Sequence, residues 1–114
     1  VLFRSQHVIH FLLTHTEIPM GLINTEVGMK INKLKRRSDV VVYGSDKTVL
    51  ILVECKAPEV HINEKVLHQA AQYNSNVKAR YIWLTNGIDH HLYHINHQTG
   101  EIVRLEELPN YRDL

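Results

Sequence analysis

Residues Ser38 to Pro58 read SDVVVYGSDKTVLILVECKAP, two runs of β-branched and aliphatic residues around Gly44-Ser45-Asp46-Lys47. Val40 to Tyr43 and Thr48 to Val53 have the composition of strands, and the glycine-led tetrad between them supplies a hairpin reversal. Both arms are apolar at successive positions, so neither face of the pair suits water. A sheet covered on both faces needs a packed layer on each side, which points to an α/β domain. The polar residues are grouped at one end: Asp39 on the first arm, and Glu54 and Lys56 at the end of the second.

The remainder of the chain supplies the covering layers. Val8, Ile9, Leu12 and Leu13 fall on one side of a helix over Gln6–Thr16, which Pro19 and Gly21 end. Leu22–Ile31 alternates as a first strand, followed by a basic loop, Lys30–Arg37 (KINKLKRR). After Pro58, Asn63 is an N-cap for a second helix over Glu64–Val77, with Val66, Ala70, Tyr73 and Val77 on one stripe. Tyr81–Leu84 is a short buried strand closed by Thr85-Asn86-Gly87. His91–Ile95 and Glu101–Leu105 flank a turn at Gln98-Thr99-Gly100. The expected order is helix, three strands, helix, strand and an added C-terminal β-hairpin, α/β with a mixed sheet flanked by helices.

Composition bounds the function classes. A chain of 114 residues holds one hydrophobic core, and a net charge of +1 leaves nucleic-acid attraction to local patches such as Lys30–Arg37. Without further support such a patch reads as a solvated loop. The single cysteine, Cys55, excludes an internal disulfide and fits a reducing, cytoplasmic setting. It lies in an apolar strand with no local activator, which argues against a thiol nucleophile. No apolar run approaches the length of a membrane span, and no membrane role is expected. Val1–Ser5 (VLFRS) back-translates to the end of a common sequencing adapter, a candidate assembly artefact, so the domain is taken as 6–114, shortened at its N-terminus.

Side chains alternate along a strand, so Glu54 and Lys56 share a face and Cys55 points away. A reversal centred on Ser45 and Asp46 pairs residues whose numbers sum to about 91, which puts Asp39 opposite Leu52, close to Glu54. Two clustered carboxylates repel unless a cation or hydrogen bonds offset the cost. A divalent ion would do this, and carboxylate oxygens with waters suit Mg²⁺. Lys56 could then orient a water or stabilise charge on phosphorus. A salt-bridged strand end, with Lys56 paired to one acid, accounts for the same spacing equally well.

Asp39 followed by Glu54-Cys55-Lys56 resembles the PD-(D/E)xK nuclease motif, with Ser38 where that name has proline. The blocks KRRSDVVVYGSDKTVLILVECKAP, HQAAQYN and WLTNG, in that order, are similar to the N-terminal (HsdR N-terminal-like) domain of type I restriction enzyme R subunits. The similarity runs over nearly the whole chain from Gln6. It implies a restriction-endonuclease-like core (αβββαβ) and Mg²⁺-dependent DNA endonuclease activity, with Mn²⁺ as a substitute ion. Asp39 and Glu54 would be metal ligands, the Cys55 backbone carbonyl a further one, and Lys56 the catalytic lysine.

Gln69-x-x-x-Tyr73 matches the QxxxY signature of some such nucleases, and its spacing puts both residues on one side of the second helix. Tyr73 also belongs to the apolar stripe. Many relatives carry a further acid ahead of the aspartate, usually on the first helix. None lies within Gln6–Thr16, so Glu26 is taken as that acid, unless shortening removed the usual one. Lys33, Lys35, Arg36 and Arg37 are candidate contacts to the DNA backbone.

The chain has no motor or specificity module, which implies non-specific cutting or targeting by partner proteins or subunits, and leaves room for a homodimer. The competing reading is a nucleic-acid-binding module of the same fold without turnover. His90, His91, His94 and His97, four of nine histidines, cluster closely enough to suggest a zinc site, but without finger spacing or a second cysteine they read as solvated.

Overall fold

The computed structural model describes residues 2–31, 34–110 and 114; the side chains at positions 2–7, 9, 25–31 and 34–39 lie outside that description. Helix α1 (Leu2–His15) begins inside the stretch set aside on sequence grounds. Val8 and Leu12, one turn apart, are buried against the sheet, and Phe11 meets Trp83 edge-on at 5.3 Å between ring centroids. The helix stops where Thr16 folds back, its N–H and its hydroxyl both donating to the Leu12 carbonyl. Glu17 then takes a left-handed conformation (φ 62°), which reverses the chain and drives Ile18 into the core.

Six strands form one sheet in sequence order: β1 (Ile23–Ile31), β2 (Leu34–Tyr43), β3 (Val49–Cys55), β4 (Tyr81–Thr85), β5 (His90–Ile95) and β6 (Ile102–Leu105). All neighbours are antiparallel except β3 and β4, which run parallel because helix α2 (Glu64–Val77) carries the chain back between them. Asn63 caps α2 by accepting from the Val66 N–H at 3.1 Å, as its sequence position predicts. The expected element order is present, and the added hairpin is β5–β6, which extends the sheet.

Two expectations change. Among its described residues the basic segment is strand, not loop: β1 and β2 stay paired out to Ile31 opposite Leu34, with Lys30 opposite Lys35 and Met29 opposite Arg36, while Asn32 and Lys33 lie outside the described residues. Backbone pairing to its long neighbour outweighs the poor strand propensity of lysine and arginine. The β2–β3 register also differs from a simple reversal, since Leu52 faces Val41 and Val53 faces Val40. The turn is longer than assumed. Gly44 N–H donates to the Thr48 carbonyl at 2.8 Å, and the Asp46 carboxylate accepts from both the N–H and the hydroxyl of Thr48. Lys47 sits at φ 68°, and a pairing irregularity between Val42 and Tyr43 adds a further offset.

The sheet divides the interior. On one face Val40, Val42, Ile51, Val53, Cys55, Tyr81 and Trp83 pack with Val8 and Leu12 of α1. On the other, Val41 and Leu52 pack with Tyr73 and Ala79, and Ile82 and Leu84 pack with Ala70 beneath α2. This is the strict alternation of strands buried on both sides. Among the described residues no helix is long and apolar enough to cross a membrane.

Candidate active site

Glu54 is the penultimate residue of β3 and only 4% exposed. Its strand neighbour two residues back, Leu52, and its partner across the parallel pair, Leu84, both belong to the α2 side of the sheet, so Glu54 does too. Lys56 is the first residue past β3. Its N–H donates to the Thr85 carbonyl at 2.7 Å, which continues the β3–β4 pairing by one residue. Its ammonium lies 3.5 Å from Glu54 Oε2, and its side chain keeps 30% of its surface exposed. A buried carboxylate thus meets an amine that still reaches solvent. Cys55 points to the opposite face and is buried in the α1-side core, so its thiol has no part in this arrangement; its carbonyl belongs to the same strand end.

The register supplies the next piece. Val40 faces Val53, and Asp39 and Glu54 are one step further along their antiparallel strands, so position 39 falls beside position 54. Thr25 faces Val40 and Val27 faces Ser38, which brackets Glu26 with Asp39 in the same way. Positions 26, 39 and 54 therefore form one row across β1, β2 and β3. The side chains of Glu26 and Asp39 lie outside the described residues, as do those of Lys35, Arg36 and Arg37 and all of Lys33.

Helix α2 covers this face. Tyr73 is buried and packs with Val41 and Leu52, each two residues from the row of acids along its strand. Gln69, one turn nearer the end of α2 that follows from β3, is exposed at the helix surface. The spacing of four does place both on one side of the helix, with Tyr73 as packing and Gln69 at the edge.

Sequence reasoning gave Thr85-Asn86-Gly87 little beyond a turn, yet all three residues support the strand end. Thr85 holds Lys56 through its carbonyl, and its hydroxyl oxygen accepts from Gly87 N–H at 3.1 Å. Gly87 adopts φ 87°, a conformation that favours glycine. Asn86 is 3% exposed; its Oδ1 accepts from the N–H groups of Ile88 and Asp89, and its Nδ2 donates to the Val60 carbonyl at 2.8 Å. The signal for this was the compact TNG block itself.

The four clustered histidines have separate employment. His90 is hydrogen-bonded to Thr85 Oγ1, His97 Nε2 lies 2.8 Å from the Ala79 carbonyl, His91 lies near the Tyr93 hydroxyl, and His94 tilts over Tyr81. Among the described residues no group of three or more His, Cys, Asp or Glu could hold a metal ion. An open groove of about 800 Å³, lined by Val8, Phe11, His15, Trp83, His90 and Glu107 among others, lies on the α1 side, across the sheet from Glu54.

A family model described as the type I restriction enzyme R protein N terminus (HSDR_N) matches residues 3–109. A solved fragment assigned as an HsdR subunit of a type I restriction enzyme from Vibrio vulnificus YJ016 is similar in fold, with a TM-score of 0.66 at 18% identity. The match covers 96% of this chain and 24% of that one, so the chain spans about a quarter of its length. No curated protein matches the chain.

Proposed function

The chain belongs to the family of type I restriction enzyme R protein N termini, and from that premise we propose that it is a Mg²⁺-dependent endonuclease domain that hydrolyses DNA phosphodiesters. In this reading its sheet is the core of a restriction-endonuclease-like, PD-(D/E)xK fold. The observation that carries it is the row of positions 26, 39 and 54, ending in a buried Glu54 whose partner is the half-exposed ammonium of Lys56.

The donor set suits a hard divalent cation. Acids in adjacent register positions beside the covered end of β3 repel one another, and a cation liganded by oxygen offsets that cost. Asp39 and Glu54 would hold Mg²⁺, with the Cys55 carbonyl and Glu26 completing the protein's share; Mn²⁺ would substitute. When bound, such an ion lowers the pKa of its water and draws charge from phosphoryl oxygens. Lys56 keeps an ammonium at the mouth of the site, where it can orient a nucleophilic water and stabilise the negative charge that grows on phosphorus. Gln69, exposed on α2, would orient Lys56 or a DNA phosphate. Tyr73 supports that helix face by packing. Lys33, Lys35, Arg36 and Arg37 would grip the DNA backbone without choosing sequence. Choice of target would come from partner subunits or a second copy of the chain.

Plasmid DNA incubated with the protein and Mg²⁺ should be nicked or linearised, and EDTA should stop the reaction. Asp39→Ala, Glu54→Gln and Lys56→Ala should each lower the rate about a hundredfold or more, the usual scale for losing one charge-stabilising group. Glu54→Gln keeps the packing, and the Lys56 ammonium it leaves unpaired still reaches solvent rather than being stranded in the core, so its unfolding free energy should stay within about 1 kcal/mol of the parent. Cutting that persists in all three variants would sink the mechanism. DNA retardation with no cutting in any divalent ion would instead assign a binding module.

A further inference from the structure

Asn86 sits in the turn after β4, yet one of its bonds leaves the turn entirely. Its Oδ1 is used locally, accepting from Ile88 and Asp89 N–H at 2.9 and 2.6 Å. Its Nδ2 crosses to the Val60 carbonyl, 26 residues away in sequence, at 2.8 Å. Val60 N–H in turn donates to the Ala57 carbonyl at 2.9 Å, closing a tight turn directly behind Lys56. The segment from Lys56 to Val60 is therefore pinned at both ends by consecutive residues of one strand end. Thr85 takes the Lys56 N–H and Asn86 takes the Val60 carbonyl.

A turn that needed only an acceptor could use aspartate or serine. A fully buried amide at this point supplies a donor as well, and the donor is spent on the Lys56 segment. We propose that Asn86 is a positioning residue for Lys56, holding the 56–60 segment so that the ammonium stays at Glu54 rather than swinging into solvent. As a statement about the reaction this rests on the nuclease reading; as a statement about Lys56 it does not.

Asn86→Asp keeps the acceptor for Ile88 and Asp89 and abolishes the donor to Val60. Asn86→Ser keeps a shorter acceptor and cannot reach Val60, and so covers the case in which the aspartate variant fails to fold. Asn96→Ala is the control, since Asn96 Oδ1 accepts from Gln98 and Thr99 N–H in the β5–β6 turn and makes no contact with the Lys56 segment. Two readouts are taken on folded protein: the rate at which acetic anhydride acetylates Lys56, followed by peptide mass spectrometry, and the kcat and KM of plasmid cutting.

Loss of one net hydrogen bond shifts the ratio of pinned to released segment about fivefold, so Lys56 should acetylate about five times faster in both Asn86 variants and unchanged in Asn96→Ala. kcat should fall by up to the same factor of about five with little change in KM, as expected when a catalytic group is released more often and substrate binding is untouched. Unchanged Lys56 acetylation in either folded Asn86 variant overturns the proposal, and so does an equal rise in Asn96→Ala. A parent protein that cuts no DNA while Lys56 is released in the variants removes the nuclease reading and leaves the positioning role standing.

Discussion

Asn74 and Asn86 are the two buried amides of the protein's described part, and both are used at each end of the amide. Asn74 donates to the Ala79 carbonyl and accepts from the Ala79 N–H, stitching the end of α2 to the chain that enters β4. Such pairing removes the penalty of burying a polar group. His91 is in a less comfortable position. Burial, chiefly, and then the Arg104 guanidinium and His90 hold its imidazole below its ordinary pKa, against the opposing pull of Asp89. The unfolded chain then takes up this proton at a higher pH than the folded one does. Stability attached to His91 is complete above its unfolded pKa of about 6.5 and is lost as pH falls through it. Urea unfolding at pH 7.5, 6.5 and 5.5 should show a decline on acidification that His91→Gln makes shallower; identical slopes in the two proteins would refute this assignment. At this scale Glu54 and Lys56 were legible from strand alternation alone. The tether from Asn86 to Val60 was not, because a hydrogen bond between a turn and a distant loop leaves no periodic trace.

Among the elements, α2 is bounded by two different devices. At its start Asn63 accepts from Val66 N–H, and at its end Lys78 takes the left-handed conformation (φ 61°) with its N–H on the Asn74 carbonyl. A lysine there bears a Cβ where glycine would bear none, a strain of about 1 kcal/mol. Lys78→Gly should therefore raise the unfolding free energy by about 0.5–1 kcal/mol in a urea titration, with cutting unaffected, since Lys78 lies more than two helical turns beyond Gln69. A loss of stability would mean that the lysine side chain contributes more than its backbone costs. The β2–β3 hairpin teaches a different lesson. Its arms and its turn were evident from Val40–Tyr43, Gly44-Ser45-Asp46-Lys47 and Thr48–Val53. Its register was not, because the Asp46–Thr48 bonds lengthen the turn and the irregularity at Val42 and Tyr43 shifts the ladder. That offset is what sets position 39 beside Glu54 instead of beside Leu52.

On the scale of the molecule, one six-stranded sheet separates two packed layers. The Leu12 side and the Ile82 side belong to different clusters and meet only through backbone. Leu12→Ala should cost about 2–5 kcal/mol and Ile82→Val about 0.5–1.5 kcal/mol. Their effects should add to within about 0.5 kcal/mol in urea unfolding, as independent sites do. A larger discrepancy would show the two layers to be coupled through the sheet. The same division separates Glu54, on the α2 side, from the open groove beside α1, so that groove and the buried carboxylate lie on opposite faces of the sheet.

What depends on neighbours along the chain was already legible before folding was considered. Runs of β-branched and aliphatic residues marked the central strands, a helical stripe and Asn63 marked α2, and alternation put Glu54 and Lys56 on one face with Cys55 on the other. Tertiary structure decided what depends on neighbours in space. It turned Lys30–Ile31 and Leu34–Arg37 from loop into paired strand, lined up positions 26, 39 and 54, and fixed Lys56 through Thr85 and Asn86. The reason is physical: side-chain direction follows from local backbone geometry, whereas register and tethering depend on hydrogen bonds closed between segments that the chain brings together only when folded.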